Sequence, residues 1–362
     1  MIDQFERKAT DVFVKLADMY LDEELVVDNA LGEKILGKAV INRVLNIVYR
    51  NLKKNAGFWD FEAAYNALYK MNIEIAKKCK DNIEAICKIM EEADFPYALL
   101  KGAYLLTNLY EEGDRTSNDV DILVSEQDVG KCKDLLNKHG FIQGWLDDDG
   151  NIIKAKRIDI IMSKMNYGET IPFIKETPNG FITADVNFSF DYKPMEDDSV
   201  LREMLTRTIR IPYRDTVLQT LEEADFIIHL CLHLYKEATT SEWAFRRKDL
   251  NLYKFNDLYM ILKNKGSEEL FKTLTERVIK DGAEKECYYS FLNAAYIFEK
   301  INDVEGFKTM LDAIKPADTT YLKQIISPVD NFIYEYDMEF RDWLACPDRK
   351  TYLLEKYNKE NG

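Results

Sequence analysis
Residues 98–124 read ALLKGAYLLTNLYEEGDRTSNDVDILV. An apolar run ends in Lys101-Gly102, a helical pattern follows, and a polar loop leads to a second apolar run carrying Asp119 and Asp121. On a strand, positions two apart share a face, so both carboxylates point one way and Val120 and Ile122 the other. Two like charges side by side are costly unless a cation lies between them. Carboxylate oxygens suit Mg²⁺, which is typically held by one or two carboxylates plus substrate phosphates. Gly102, between a strand and a helix, is where a backbone can approach a phosphate closely. The helix N-terminus adds partial positive charge there. The order strand, Gly, helix, Asp-x-Asp strand therefore predicts a metal-plus-triphosphate site.

A second strand supplies a partner. In residues 181–190, FITADVNFSF, Phe181, Thr183, Asp185, Asn187 and Ser189 fall on one face. Ile182, Ala184, Val186, Phe188 and Phe190 fall on the other. One Asp on a polar face backed by an apolar one is the pattern of a strand that lines a site. Asp159, in the run Arg157-Ile-Asp-Ile-Ile161, is read as a rival strand carboxylate beside basic residues and is ranked below Asp185.

On Leu100, Lys101, Gly102, Arg115, Ser117, Asp119, Asp121 and the downstream Asp185, the chain resembles the bacterial nucleotidyltransferases of the polymerase-beta-like superfamily. It departs from them at Ala103, where many members carry Ser or Gly, and at Asn187, where the branch often has His. The resemblance implies an α+β fold, a small mixed-sheet core flanked by N-terminal and C-terminal helical regions. It implies transfer of an NMP group from an NTP to an acceptor hydroxyl with release of pyrophosphate. Asp119, Asp121 and Asp185 would be the catalytic metal ligands for two Mg²⁺ ions, with Mn²⁺ as the alternative. Lys101, Gly102, Arg115 and Ser117 would bind the triphosphate. Lys254 and Asp257, one helical turn apart, match a family helix with an Asp ahead of an apolar run, and would close the nucleotide pocket. Their ordinary reading is a helical ion pair worth only tenths of a kcal/mol.

The chain has 362 residues, 46% of them hydrophobic, enough for a large core and two or three domains. A formal charge of −15 disfavours sequence-independent nucleic-acid binding, which needs Lys and Arg to displace counterions. A small-molecule or protein acceptor is therefore favoured over RNA. Cys79, Cys87, Cys132, Cys231, Cys287 and Cys346 show no Cys-x-x-Cys spacing. With no secretory signal and no apolar run of about 18 residues, a reduced cytoplasmic protein with no membrane partner is expected.

Three consecutive regions are expected: helices over 1–95, the catalytic core over 96–215, and a helical domain over 216–362. Residues 58–90 carry an apolar stripe at helical spacing, through Phe61, Ala64, Tyr65, Leu68, Met71, Ile75, Ile83, Ile86, Cys87 and Met90. Phe95-Pro96 ends it. Glu126 to His139 reads as a helix with Ser125 as N-cap and Gly140 beyond its end. Asp147-Asp148-Asp149-Gly150-Asn151 reads as a solvated hairpin turn. Lys154, Lys156 and Arg157 form a basic patch on a strand beside the site, either merely exposed or touching a polyanion. Arg202, Arg207, Arg210 and Arg214 default to surface ion pairs. Beyond Asp215 the chain reads as helical, opened by Thr220 as N-cap. His229 and His233 share a helix face, but lack the Glu of a His-Glu-x-x-His zinc site. Two rivals to catalysis by transfer to a metabolite remain. One is a silent nucleotide-binding or protein-interaction module; the other is a toxin-like enzyme that transfers AMP to a protein.

Overall fold
The computed structural model describes residues 3–54, 60–330, 332–346 and 348–358. Phe58 and Pro347, used in the sequence reading, lie outside the described residues. The fold is mixed α and β, as the α+β expectation required. Four helices come first: α1 (Gln4–Leu16), α2 (Asn29–Ile41), α3 (Leu45–Lys54) and α4 (Glu62–Met90). Next come β1 (Tyr97–Leu99), α5 (Gly102–Asn108), β2 (Val120–Val124), α6 (Val129–Lys138), β3 (Ile142–Leu146) and β4 (Ile152–Lys154). They are followed by α7 (Arg157–Asn166), β5 (Phe173–Thr177), β6 (Gly180–Asn187), α8 (Ser199–Thr206), β7 (Thr208–Tyr213) and β8 (Thr216–Leu221). The helices α9 (Glu223–Ala238), α10 (Ser241–Phe245), α11 (Leu252–Lys265), α12 (Glu268–Lys280), α13 (Glu284–Ile297) and α14 (Phe307–Ala313) come after them. The last elements among the described residues are β9 (Gln324–Ile326), β10 (Phe332–Tyr336), α15 (Phe340–Ala345) and β11 (Leu353–Asn358). No helix among the described residues is long and apolar enough to cross a membrane.

Two compact units emerge, drawn differently from three consecutive regions. Residues 73–229 form one; residues 1–72 and 230–362 form the other. The division falls inside α4 and inside α9.

Unit 73–229 is built on a mixed sheet of strand order β1-β2-β6-β5-β3-β4. Only β2 and β6 run parallel, at its heart; the other pairs are antiparallel. β2 is buried at every position, as expected of an inner strand, and Ile182, Ala184, Val186 and Phe188 bury the apolar face of β6. The second half of α4 buries Ile83, Ile86, Cys87 and Met90 as the stripe predicts, whereas Ala64 and Met71 in its first half are exposed. After β2, Ser125 donates to Asp128 Oδ2 at 2.7 Å, and a 3₁₀ turn leads into α6. Gly140 follows α6 with φ +84°, the left-handed conformation that Gly tolerates best. Asp147 Oδ1 accepts from the amides of Asp149 (3.0 Å) and Asn151 (2.7 Å), so its carboxylate organises the β3–β4 loop rather than a cation.

Three local expectations are corrected here. Arg157 to Ile161 is the start of helix α7, not a strand, and Asp159 Oδ2 accepts from the Lys156 amide at 3.0 Å as a capping residue. Asp159 thereby ceases to rival Asp185. Residues 208–221 form the β7–β8 hairpin, so the chain beyond Asp215 is not helical throughout. Thr220 lies in β8, its Oγ1 donating to Leu99 O at 2.6 Å, and caps no helix. Of the four arginines expected in surface ion pairs, Arg202 meets Asp198 at 2.8 Å, Arg210 makes no ion pair among the described residues, and the Asp225 partner of Arg207 is buried. Arg207 grips Asp225 with two bonds of 2.7 and 3.1 Å, and Arg214 reaches Asp81 at 2.7 Å and Glu84 at 2.6 Å.

The other unit is mainly helical. Asp28 caps α2 by accepting from the Leu31 amide at 2.8 Å, and Ser267 caps α12 from Leu270 at 3.2 Å. Asn42 joins the N-terminal helices to α11: its side chain accepts from the Leu252 amide at 3.0 Å. A three-stranded sheet, β11-β10-β9, corrects the expectation of helices to the end. Its strands are short, and the alternation in Phe332-Ile-Tyr-Glu-Tyr336 carries too few polar residues to signal period two. All six cysteines are free and buried. Arg349, 4% exposed, pairs with the fully buried Asp249. Burial, followed by the charge of Arg247, pushes the Arg349 guanidinium down to about 9. Asp249→Ala leaves an unpaired buried cation and is expected to cost about 3–5 kcal/mol in urea unfolding. A loss under about 1 kcal/mol would show that the pair is dispensable.

Candidate active site
The end of β1 sets the site's first half. The Leu100 amide donates to Asp121 O at 3.0 Å, extending the β1–β2 pairing by one residue. The chain then turns sharply: Lys101 sits at φ +45°, ψ −111°, a conformation that a side chain makes unfavourable. That turn aims its ammonium at the next strand, where Nζ donates to Asp121 Oδ1 at 2.8 Å. Gly102 opens α5 under a tight ceiling. A Cβ there would lie 2.9 Å from Ser117 Oγ, so any larger residue collides with the loop that precedes Asp119.

That loop is held from several sides. Ser117 Oγ lies 3.1 Å from both the carbonyl and Oδ1 of Asp119. Cys79, on α4, donates its thiol to the Ser117 carbonyl. Arg115 is buried, and its guanidinium donates to the Thr116 carbonyl within the same loop. The predicted phosphate residues Lys101, Gly102, Arg115 and Ser117 thus come together around the β1–α5 turn, with Arg115 bonded into the loop's own backbone.

The second half comes from the parallel pairing of β2 with β6. Asp121 and Asp185 are register partners on adjacent strands. Asn187 Nδ2 donates to Asp121 Oδ1 at 3.3 Å and to the Asp185 carbonyl at 3.2 Å. Asp185 Oδ1 is buried with no hydrogen-bond partner. Burial, followed by the charges of Asp119, Asp121 and Glu169, pushes its carboxyl up to about 8, while Lys101 pulls the other way. Glu169 is a residue the sequence reading missed. It forms an isolated β-bridge with Asn187, in a loop (Tyr167-Gly-Glu-Thr170) that has no strand or helix periodicity to draw notice.

Asp121 and Asp185 are the residues that could hold a divalent cation here. Excess negative charge surrounds an orphaned carboxylate oxygen, and hard oxygen donors are the chemistry that Mg²⁺ and Mn²⁺ prefer. Lys101 stands as a partial counter-charge on Asp121. Among the described residues no three carboxylate, imidazole or thiol groups close around one point as a finished ligand set.

Lys154, on β4, is three strands from β6, roughly 14 Å at about 4.8 Å per strand. Lys156 precedes α7 and Arg157 opens it, so the three basic residues do not share one strand. Lys254 and Asp257 belong to the other unit, on α11. There Lys254 Nζ pairs with Glu237 and donates to the carbonyls of Lys248 (2.8 Å) and Asp249 (3.1 Å). Lys254 is buried and anchors α11 to Glu237 and to the 248–249 carbonyls rather than making a helical pair one turn along. His229 is buried against the Phe190 ring, centroids 5.9 Å apart, and His233 Nε2 lies 3.6 Å from Glu237 Oε2.

By class the chain is a nucleotidyltransferase. Residues 33–299 match the model of a family described as uncharacterised nucleotidyltransferase, and since the match covers most of the chain, the chain belongs to that family. No curated protein and no solved structure matches it.

Proposed function
We propose that this chain moves an NMP group from an NTP to an acceptor hydroxyl with divalent-metal help. The observation that carries the reading is the unpartnered, buried Asp185 Oδ1 set in register beside Asp121. In the transfer, the acceptor oxygen bonds to the α-phosphorus and the bond to the bridging oxygen breaks. Pyrophosphate leaves with that electron pair, and the acceptor's proton passes to the carboxylate cluster. Asp119, Asp121 and Asp185 would hold the ions, which supply charge stabilisation to the triphosphate and acidify the acceptor hydroxyl.

The remaining work falls to side chains. Asn187 orients Asp121 through its amide. Lys101, released from Asp121 by competing charge, would pair with the β- and γ-phosphates, and Gly102 would let the backbone approach them. A small molecule or a protein is the favoured acceptor on grounds of net charge.

Calorimetric titration of ATP, GTP, CTP and UTP, with and without Mg²⁺, tests the site. One nucleotide should bind only with Mg²⁺, and the Asp119→Ala/Asp121→Ala chain should lose that binding. If no nucleotide shows metal-dependent binding, the silent-module reading takes its place.

A further inference from the structure
Helix α7 is inside out. Its residues Ile158, Ile161, Met162 and Met165 recur at i, i+3, i+4 and i+7, the stripe that normally faces a core. Here no residue of the helix is buried; Met165 is 70% and Ile158 60% exposed. The half-covered positions are instead Asp159, Ile160 and Ser163, on the other side of the helix. At about 100° per residue, the stripe spans roughly 100° of arc and points to solvent. The hairpin that precedes α7 in the chain also exposes apolar side chains. Trp145 and Ile153 are cross-strand partners on β3 and β4, and both are exposed. β4 is also the open edge of the sheet.

Charge selects among occupants. Residues 152–167 hold Lys154, Lys156, Arg157 and Lys164 against Asp159 alone, in a chain of formal charge −15. Lys164 is held by Glu126 at 3.3 Å, while Lys154 and Arg157 make no ion pair among the described residues. Exposed cations beside an apolar stripe complement a segment that is itself apolar on one face and acidic on its flanks. Methionine suits such a face because its flexible, polarizable side chain adapts to the surface it meets. A polynucleotide would satisfy the cations but leave the aliphatic stripe in water. A second copy would bring another uncompensated basic patch to the same place.

We propose that α7 and the β3–β4 hairpin form a docking surface for a partner protein that presents an acidic amphipathic helix. This inference does not depend on nucleotidyl transfer, and nucleotide-binding results bear on it in neither direction.

The probe is a short designed peptide with Leu at i, i+3, i+4 and i+7 and Glu between, followed by fluorescence anisotropy against the full chain. Saturable binding is expected. It should weaken about tenfold, or about 1.4 kcal/mol, in Ile161→Ser/Met165→Ser. Lys154→Glu/Arg157→Glu should also weaken it, and added salt should do so in the native chain. Circular dichroism of each variant confirms that exposed-site changes leave the fold intact. A peptide of the same composition without helical spacing should not bind. The proposal is overturned if neither peptide binds, if both bind equally, or if the variants bind as the native chain does. It is also overturned if the patch instead binds phosphatidylglycerol-containing vesicles, or drives a concentration-dependent dimer in ultracentrifugation that Ile161→Ser/Met165→Ser abolishes.

Discussion
Asp121→Ala is expected to lower turnover at least about a thousandfold while the protein stays folded, and Asp119→Ala to do the same. The two act for different local reasons. Asp121 sits at the centre of the site, bonded to Lys101 at 2.8 Å and Asn187 at 3.3 Å, and register-paired with Asp185. Its loss removes an anionic ligand and also frees Lys101 from its seat. Asp119 precedes β2 and takes its orientation from Ser117. Ser117→Ala should therefore reproduce part of the Asp119→Ala defect, about three- to tenfold, without altering Asp121. Far-ultraviolet circular dichroism checks the fold, and pyrophosphate release with the nucleotide identified by calorimetry measures the rate. Turnover that survives in either Asp variant would sink the assignment.

Asp185→Asn should make the metal-free protein more stable while it removes function. The sign follows from the direction of the shift. The folded-state pKa of Asp185 lies near 8, above its usual value, so the folded chain binds the proton more tightly than the unfolded chain. The stabilising contribution of the protonated carboxyl is complete below the unfolded pKa of about 3.9, and it is lost as pH rises through about 8. Asn cannot ionise and escapes that loss. In EDTA, the variant's Tm should match the native Tm near pH 4 and exceed it increasingly toward pH 9. For a unit of this size the gap is about 2–4 °C for each kcal/mol relieved. Mg²⁺ should raise the native Tm by mass action and leave the variant nearly unmoved. A variant less stable than the native chain at pH 8 in EDTA would show that the carboxylate is not under the strain described.

The carboxylate strands were readable because their information is local. Period two in residues 119–124 and 181–190 separates a polar from an apolar face; the face of Ile182, Ala184, Val186 and Phe188 is buried as that pattern demands, whereas β2, an inner strand, is buried on both faces. Gly102 was likewise legible as a point of close approach, though the approaching group proved to be Ser117 of the chain itself. Asp159 shows the opposite case. Its run Arg157-Ile-Asp-Ile-Ile161 suits strand and helix equally over so few residues, and the capping bond to the Lys156 amide decides for helix. Thr220 has the right neighbours for a helix cap, but its hydroxyl is taken by Leu99 across the β8–β1 contact. No pattern within residues 208–221 reports that contact.

By itself the sequence determined the two carboxylate-bearing strands, the lysine–glycine turn and the lack of Cys-x-x-Cys spacing, all of which rest on spacing within one element; the α+β class came with the family resemblance that those residues carry. Tertiary structure alone decided that Asp121 and Asp185 stand in register, that Asn187 bridges them, that Glu169 joins their field, and that Lys154 lies at the far edge of the sheet. It also decided that the core closes with the β7–β8 hairpin, and that α7 turns its apolar stripe outward. The physical reason is common to these outcomes. Each depends on which strand lies beside which, and strand order is set by burial and hydrogen bonding summed over the whole sheet, a quantity that no single stretch of residues contains.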